Sequence, residues 1–249
     1  MDMINGLKMF GRYLTMLARV FSRPENKGVY LKRILDEMVN LGFNSLGIVS
    51  IISFFMGAVV TIQTGLQLSN PFIPKFLVGY ATRESLILEF SPTMIALILA
   101  GKVGSSIASE IGTMRVSEQI DALEIMGINS SSFIIQPKII ASVLFFPFLV
   151  IISMAIGMGG GFLAATLGGI ISKGEFLQGL LYWFEPFYIF YALVKTVLFA
   201  FAISSVSSFF GYYTKGGAVA VGKSSTKAVV YSCVVILIVN FLITQLMLS

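Results

Sequence analysis

Long apolar runs alternate with short polar segments along the 249-residue chain. Residues 3–23 place apolar side chains at intervals of three and four, with lysine and arginine among and opposite them. This pattern is typical of a basic amphipathic helix that lies in a membrane interface, although a helix packed on soluble protein is the alternative. Residues 24–28 should break this helix, and a short helix is expected at 30–39. We therefore predict interfacial or cytosolic helices over 3–40.

Five apolar runs follow, and each is long enough to cross a bilayer, which takes about 20 residues in a helix. They cover residues 46–68, 86–110, 139–171, 187–210 and 228–248. The third run is longer than one span needs and contains Pro147 and a group of glycines, which suggests a kinked or broken helix. The pattern predicts an all-α integral membrane protein that forms a single domain over residues 1–249.

Small residues recur every four positions in the second run, where they would allow neighbouring helices to approach closely. They are Ala96, Ala100, Gly104, Ala108 and Gly112. A parallel stripe lies beside them at positions 101, 105, 109 and 113, and similar stripes occur at 57, 61 and 65 and at 157, 161, 165 and 169. We expect the second run to lie at the centre of the bundle or at a subunit interface; chance in a helix rich in small residues is the alternative.

The composition excludes several classes of protein. Charged residues make up 12% of the chain, against about 25% in soluble domains, so a soluble protein is excluded. With one cysteine and no histidine, neither an intramolecular disulfide nor a zinc or haem site is expected, and we predict no cofactor. The net charge of +5 comes mainly from basic residues beside apolar runs, which fits anionic lipid rather than nucleic acid.

The distribution of basic residues predicts the orientation of the chain. If the N-terminal region is cytosolic, the outer loops contain only Lys75, Arg83 and Lys173, and most other basic residues flank the cytosolic ends of the spans. The positive-inside rule therefore places the N-terminus in the cytosol and, with five spans, the C-terminus outside. It also places residues 113–127 in the cytosol.

Residues 113–127 are too short and too acidic to cross a bilayer. Apolar residues share one face of a helix here, and acidic residues spread over the opposite side. The two sets are Val116, Ile120, Leu123 and Gly127, and Glu118, Asp121 and Glu124. We predict a surface helix between two spans, and periodicity alone would also fit an ordinary amphipathic loop helix.

Three polar side chains within or near the ends of apolar runs are candidate functional residues: Glu89, Lys195 and Gln63. An ionisable group inside a membrane is costly unless it is paired or functional. Glu89 and Lys195 could pair with each other, or they could line a polar pocket that receives a lipid headgroup. Gln63 could form an interhelical hydrogen bond or line a cavity.

Residues 217–224 match the phosphate-loop pattern G-x-x-x-x-G-K-[ST]. A nucleotide site of this type requires a preceding strand and a surrounding α/β domain, and apolar runs flank the motif here instead. We interpret this segment as a flexible cytosolic turn between two spans.

The stretch Glu89–Gly127 resembles the MlaE-type permease family of ABC lipid transporters. The match rests on E-x-x-P at Glu89 and Pro92, followed by AGKVGSSIASEIGTMRVSEQIDALEIMG. It continues with PKIIA at 137–141, the run that contains Lys195, and GGAVAVGKSSTKAVV at 216–230. The resemblance covers nearly the whole chain.

This resemblance implies a homodimer of five-span subunits in the bacterial inner membrane. The chain would not be an enzyme; a separate cytosolic ATPase would bind ATP and dock on a coupling helix. The coupling residues would be Glu118, Gln119, Asp121, Leu123, Glu124, Met126 and Gly127. Periplasmic MCE-domain proteins would be further partners, and the cargo would be phospholipid or a related lipid moved between inner and outer membranes. Glu89 and Lys195 would lie near the lipid cavity.

The chain departs from the family at two positions. Leu88 stands where many members have arginine directly before the glutamate, and Lys102 stands where many have arginine after Ala-Gly. Lysine keeps the charge but loses the planar fork of donors. From the residues alone, a stand-alone secondary transporter or channel and a structural membrane anchor remain alternative functions.

Overall fold

The computed structural model describes residues 2–21, 27–70 and 72–248. Within those residues all regular secondary structure is helical, and five helices are long and apolar enough to cross a membrane. The predicted all-α architecture with five candidate spans is therefore confirmed. Most of the predicted break at 24–28, and Pro71 in the loop between the first two spans, lie outside the described residues.

The second of the two N-terminal helices runs directly into the first span. Helices α1, α2 and α3 cover Asp2–Val20, Lys27–Glu37 and Leu46–Gln67. A π-helical turn at Met38–Gly42 and a 3₁₀ turn at Phe43–Ser45 join α2 to α3 without a break. The short helix that we predicted at 30–39 is thus continuous with the first span, because no proline interrupts residues 30–67.

The second span begins at Phe76, not near Leu86 as the sequence suggested. It comprises α4 at Phe76–Ser85, α5 at Ile95–Leu99 and α6 at Ser105–Val116. Wider π-helical turns at Leu86–Met94 and Ala100–Gly104 join them. Pro92 lies in the first of these turns, where the wider winding accommodates a residue that cannot donate a helical hydrogen bond.

The remaining helices are α7 at Gln119–Ile125, α8 at Ser130–Leu167, α9 at Lys173–Leu181, α10 at Pro186–Tyr212 and α11 at Ala218–Leu248. Despite its two prolines and its glycines, α8 is one uninterrupted α-helix, so the third span is not broken. The interpretation of residues 217–224 as a flexible turn also needs correction. Gly222–Ser224 lie within α11, where backbone N–H groups bond carbonyl groups of the preceding turn, so the flexible turn ends before Ala218.

Contacts between Cα atoms divide the chain into two compact units. The first unit comprises the described residues of Met1–Asn44, Ile98–Phe145 and Phe199–Val239, and the second those of Ser45–Leu97, Phe146–Leu198 and Asn240–Ser249. Buried side chains of the first unit include Met16, Ile107 and Phe199; those of the second include Val49, Phe176 and Tyr191.

The small-residue stripes lie where helices pack closely. In the first unit, a Cβ atom on Gly104 would lie 2.9 Å from the Ser207 Oγ atom of α10, and one on Gly112 would lie 3.2 Å from a Val221 methyl of α11. The five residues of the first stripe are all buried: Ala96, Ala100, Gly104, Ala108 and Gly112. The neighbouring stripe at 101, 105, 109 and 113 is half-buried or exposed. Of these two neighbouring stripes, only the first is thus fully buried within the described chain.

In the second unit, the stripes of α3 and α8 face each other. Gly57 lies against the backbone carbonyl of Gly157, and Gly161 lies against the Thr61 hydroxyl. No side chain larger than hydrogen fits at Gly57 or Gly161 without displacing these groups.

Candidate functional site

Glu89 and Lys195 form an ion pair inside the second unit. The Lys195 Nζ atom lies 2.7 Å from Glu89 Oε1 and also donates to the Leu88 carbonyl oxygen at 3.2 Å. The ammonium lies 4.4 Å from the centroid of the Tyr191 ring. Lys195 is completely buried, whereas the Glu89 side chain is 43% exposed. The pair therefore presents its negative member and hides its positive one.

Further polar side chains complete a cluster around Glu89. Thr93 Oγ1 and Asn240 Nδ2 each donate to Glu89 Oε2 at 3.2 Å. Thr244 Oγ1 lies 3.4 Å from Glu89 Oε1 and 2.8 Å from the Tyr191 hydroxyl. We call these six residues the polar node: Glu89, Thr93, Tyr191, Lys195, Asn240 and Thr244. All six belong to the second unit.

Helical spacing explains how the polar node forms. Each contributing helix supplies two polar side chains four residues apart, which places both on the same face. The pairs are Glu89 and Thr93, Tyr191 and Lys195, and Asn240 and Thr244. Since each pair lies within an apolar span, the node concentrates the polar groups of three helices at one place.

The segment after α6 folds back as a short helix between two spans. Glu118 precedes α7 with a φ of 60°, and Gly127 follows it with a φ of 78°. The left-handed conformation at both ends turns the chain sharply, and only at Gly127 is it free of steric cost. The Arg115 guanidinium bonds the Asp121 carboxylate at 2.7 Å, which ties α7 to the end of α6.

A second set of contacts holds the C-terminal end of α7. The hydroxyls of Ser130 and Tyr212 each donate to Glu124 Oε1 at 2.9 Å. The hydrogen bond from Ser130, and after it the one from Tyr212, hold the pKa of the Glu124 carboxyl below its ordinary value, because they favour the charged form. Glu124 is thus fixed to the start of α8 and the end of α10, and the three residues belong to the first unit.

The C-terminal end of α7 exposes two large apolar side chains. Ile125 is 87% exposed and Met126 is 65% exposed. Of the apolar face that we predicted, Ile120 is fully buried and Leu123 half-buried, while Val116 and Gly127 are exposed. Two large apolar side chains therefore project from the end of a helix that is held at both ends.

Comparison with known proteins decides the family. The model of the family described as Permease MlaE matches residues 34–246. The chain belongs to the MlaE permease family. It is 38% identical over 218 residues to a probable ABC transporter permease protein of Rickettsia bellii, which covers 88% of this chain and 84% of the relative. It is also similar to a probable ABC transporter permease protein of Synechocystis, at 34% identity over 87% of this chain and 82% of the relative.

A further relative carries a substrate in its name. The intermembrane phospholipid transport system permease protein MlaE of Haemophilus influenzae is 30% identical over 217 residues, covering 86% of this chain and 82% of the relative. The resemblance noted in the sequence is thereby confirmed. As a member of this family of ABC transporter permeases, the chain is a multi-pass membrane protein with five apolar spans.

The site residues that the sequence predicts are only partly brought together in the structure. Glu89 and Lys195 meet, but Gln63 is exposed on α3 and is not among the described residues that contact either of them. Thr93, Tyr191, Asn240 and Thr244 were not predicted. The signal that could have found them is the pairing of polar residues at four-residue spacing inside three apolar runs.

Arg83, the basic residue nearest to Glu89 along the chain, does not replace the arginine that many family members have at the position of Leu88. Arg83 is buried, pairs with Glu84 at 2.6 Å and donates to the carbonyl oxygens of Leu180, Tyr182 and Trp183 at 2.7–3.0 Å. It holds the end of α9 and the following turn. Lys102, at the other departure from the family, donates to the Asn44 carbonyl oxygen in the first unit.

Proposed function

We propose that this chain is the transmembrane permease subunit of an ABC-type transporter that moves phospholipid or a related lipid between inner and outer membranes. A separate cytosolic ATPase would supply the energy. The chain would act as a homodimer in the bacterial inner membrane, with a periplasmic MCE-domain protein as a further partner. Residues 1–249 would form one permease domain with an N-terminal interfacial helix.

The observation that carries this proposal is the exposed apolar end of α7. Ile125 and Met126 project into solvent at 87% and 65% exposure, which is costly for a surface that meets only water. The Arg115–Asp121 ion pair and the Glu124 hydrogen bonds tie α7 to α6, α8 and α10. A force applied to α7 by a docked ATPase would therefore reach the spans directly. This is the behaviour required of a coupling helix.

The structure divides the predicted coupling residues into two roles. Asp121 and Glu124 bond within the chain and would position α7. Glu118, Gln119 and Met126 are exposed and would face the ATPase, and Gly127 would form the turn. Leu123 is half-buried and would pack α7 against the rest of the first unit.

A lipid cargo is supported by the polar node and by the named function of the Haemophilus influenzae relative. A charged cluster inside apolar spans is retained where it serves a substrate or a structural pair. In the proposed dimer, the exposed Glu89 carboxylate would mark the polar end of a lipid cavity, and Gln63 would line the cavity from α3.

Substitution of Ile125 by aspartate tests the motor contact. Replacing a central apolar anchor should weaken ATPase binding by about 2 kcal/mol or more, which is about thirtyfold in affinity. The measurement is co-purification of the native complex from its own membranes, with each subunit identified by mass spectrometry. Val219→Asp is the matched control, because Val219 is 75% exposed on α11 of the same unit.

We expect an ABC ATPase in the complex of the unaltered chain and of the Val219→Asp variant, and its loss from the Ile125→Asp variant. A native complex without any ATPase would contradict the proposal and would favour a stand-alone transporter. Equal ATPase recovery from all three chains would show that α7 is not the coupling helix.

A further inference from the structure

The positive charge of the polar node is already fully engaged. A lysine ammonium has three N–H donors. In Lys195 one bonds Glu89 Oε1 at 2.7 Å, one bonds the Leu88 carbonyl oxygen at 3.2 Å, and the third side faces the Tyr191 ring. The side chain has no exposed surface. Lys195 is therefore closed to a lipid phosphate, because its ammonium has no exposed surface.

The negative charge of the node is accessible. Glu89 is 43% exposed, and a carboxylate offers about four acceptor positions. Thr244 lies nearer to the Asn240 backbone carbonyl, at 2.8 Å, than to Glu89, at 3.4 Å, and has one hydroxyl hydrogen to donate. The Glu89 carboxylate thus keeps acceptor capacity on its exposed side.

No other described basic side chain of the second unit compensates. Arg83 is buried and engaged with Glu84 and three carbonyl oxygens. Lys75 and Lys173 are exposed and lie outside the candidate spans. Leu88, directly before Glu89, is aliphatic and half-buried. Among the described side chains of the second unit, a ligand that approaches the node therefore meets an exposed carboxylate and no free cation.

We propose that the polar node selects zwitterionic phospholipids with an aminoalkyl headgroup over anionic phospholipids. The headgroup ammonium would donate to Glu89, while Asn240 and Thr93 hold the carboxylate in place. This inference rests on the proposed lipid-permease function and names the lipid class that its site would accept.

Electrostatics gives the direction and rough size of the preference. A zwitterionic headgroup places its ammonium beside Glu89. Because its phosphate and ammonium charges cancel, it brings no net charge to the node. An anionic headgroup brings a phosphate near Glu89 with no ammonium of its own, and like charges a few ångströms apart repel even at a high effective dielectric constant. We expect about a tenfold preference for the zwitterionic lipid, which is a modest estimate for such charges in partly buried surroundings.

The test is lipid retention by the purified complex. The complex is exchanged in micelles that contain equal amounts of phosphatidylethanolamine and phosphatidylglycerol with the same acyl chains. Lipid that remains bound after removal of the micelles is then quantified by native mass spectrometry. We expect retained phosphatidylethanolamine to exceed phosphatidylglycerol by about tenfold.

Two variants separate the node from general lipid affinity. Glu89→Gln removes the negative charge and leaves the Lys195 charge uncompensated, and Leu88→Arg adds a free cation beside the node. Both should shift retention towards phosphatidylglycerol. Leu167→Arg is the matched control, because Leu167 is 83% exposed at the end of α8 in the same unit and is not one of the six residues of the node. It should leave the ratio unchanged.

The outcomes distinguish the two levels of proposal. Lipid retained in equal proportions by the unaltered complex, or a preference that neither Glu89→Gln nor Leu88→Arg changes, would overturn the headgroup inference alone. A complex that retains neither lipid would contradict the proposed lipid function and the inference with it. Because the two variants act through different side chains, misfolding of one leaves the other to decide.

Discussion

The chain buries lysines inside helices by the same means at two sites. Lys195 has Glu89, and Lys138 lies between two carboxylates of the first unit, 2.5 Å from Glu37 Oε1 and 2.8 Å from Glu110 Oε2. Lys138 directly precedes an apolar run in the sequence, where it would flank a span, but it is 1% exposed. A buried ammonium requires such partners because its desolvation is costly. Lys138 therefore connects α2, α6 and α8 and is not a loop charge.

Replacement of Lys138 by methionine should destabilise the protein. The change leaves Glu37 and Glu110 close together without their shared cation. Removing one member of a buried pair costs about 3–5 kcal/mol, and since the Glu110 side chain is 50% exposed we expect about 2 kcal/mol here. The thermal midpoint of the purified chain in detergent should fall by roughly 5 °C.

Two further variants make this prediction specific. Lys223→Met removes an exposed lysine of α11 and should change the midpoint little. Neutralising both carboxylates in the Lys138→Met background, with Glu37→Gln and Glu110→Gln, should recover much of the loss. A Lys138→Met midpoint equal to that of Lys223→Met would show that the three-residue cluster contributes nothing to stability.

At the scale of helices, the packing of α3 on α8 in the second unit depends on glycine. A Cβ atom at Gly57 would meet the carbonyl group of Gly157, and one at Gly160 would meet the carbonyl group of Phe54. Backbone groups cannot turn away as a flexible side chain can. The two helices approach closely because these positions carry no side chain, which is how small residues hold helices together in membranes.

Alanine substitutions on α3 test this packing with an internal control. Gly47 and Gly57 both lie in α3, and both gain helix propensity, worth up to about 1 kcal/mol, on change to alanine. A Cβ atom at Gly47 meets no atom within 4 Å. Gly47→Ala should therefore be neutral or stabilising, whereas Gly57→Ala should cost about 1–3 kcal/mol through overpacking. Thermal unfolding of the two variants side by side gives the difference, and equal midpoints would rule out the close contact.

The sequence predicts the helices better than their ends. Five apolar runs gave five spans, because apolar length alone identifies a membrane helix. The bounds differ where a helix continues into polar residues. The apolar run that predicts the second span begins at Leu86, yet the helix begins at Phe76, and Arg83 and Glu84 pair with each other within it. Residues 217–224 are interpreted from the sequence as a flexible turn and the fifth span is predicted at 228–248, yet α11 begins at Ala218.

The candidate site was predictable only in part for a related reason. Glu89 and Lys195 are conspicuous because charge is rare inside spans. Asn240, Thr93 and Thr244 are neutral, and threonine in particular can satisfy its hydroxyl within its own helix, as Thr244 does with the Asn240 carbonyl. Their role depends on which helices are neighbours, which no local pattern shows.

At the scale of the whole molecule, the charge distribution still predicts the orientation after the structure is taken into account. Lys138, counted on the cytosolic side, and Arg83, counted on the outer side, are both buried and paired. If Lys138 and Arg83 are both left out of the comparison, basic residues remain in excess on the predicted cytosolic side. They lie in the N-terminal region and near the turns after α6 and α10. The positive-inside rule therefore continues to favour a cytosolic N-terminus and an outer C-terminus.

Thiol labelling in intact spheroplasts tests this orientation and the location of α7 together. Replacement of Cys233 by serine removes the single native cysteine. Single cysteines are then placed at exposed positions with Lys8→Cys in α1, Met126→Cys after α7, or Leu248→Cys at the end of α11. A maleimide that cannot cross the inner membrane should label the Leu248→Cys chain in spheroplasts, and the other two only after lysis. Labelling of the Met126→Cys chain from outside would exclude contact between α7 and a cytosolic ATPase, whatever the family of the protein.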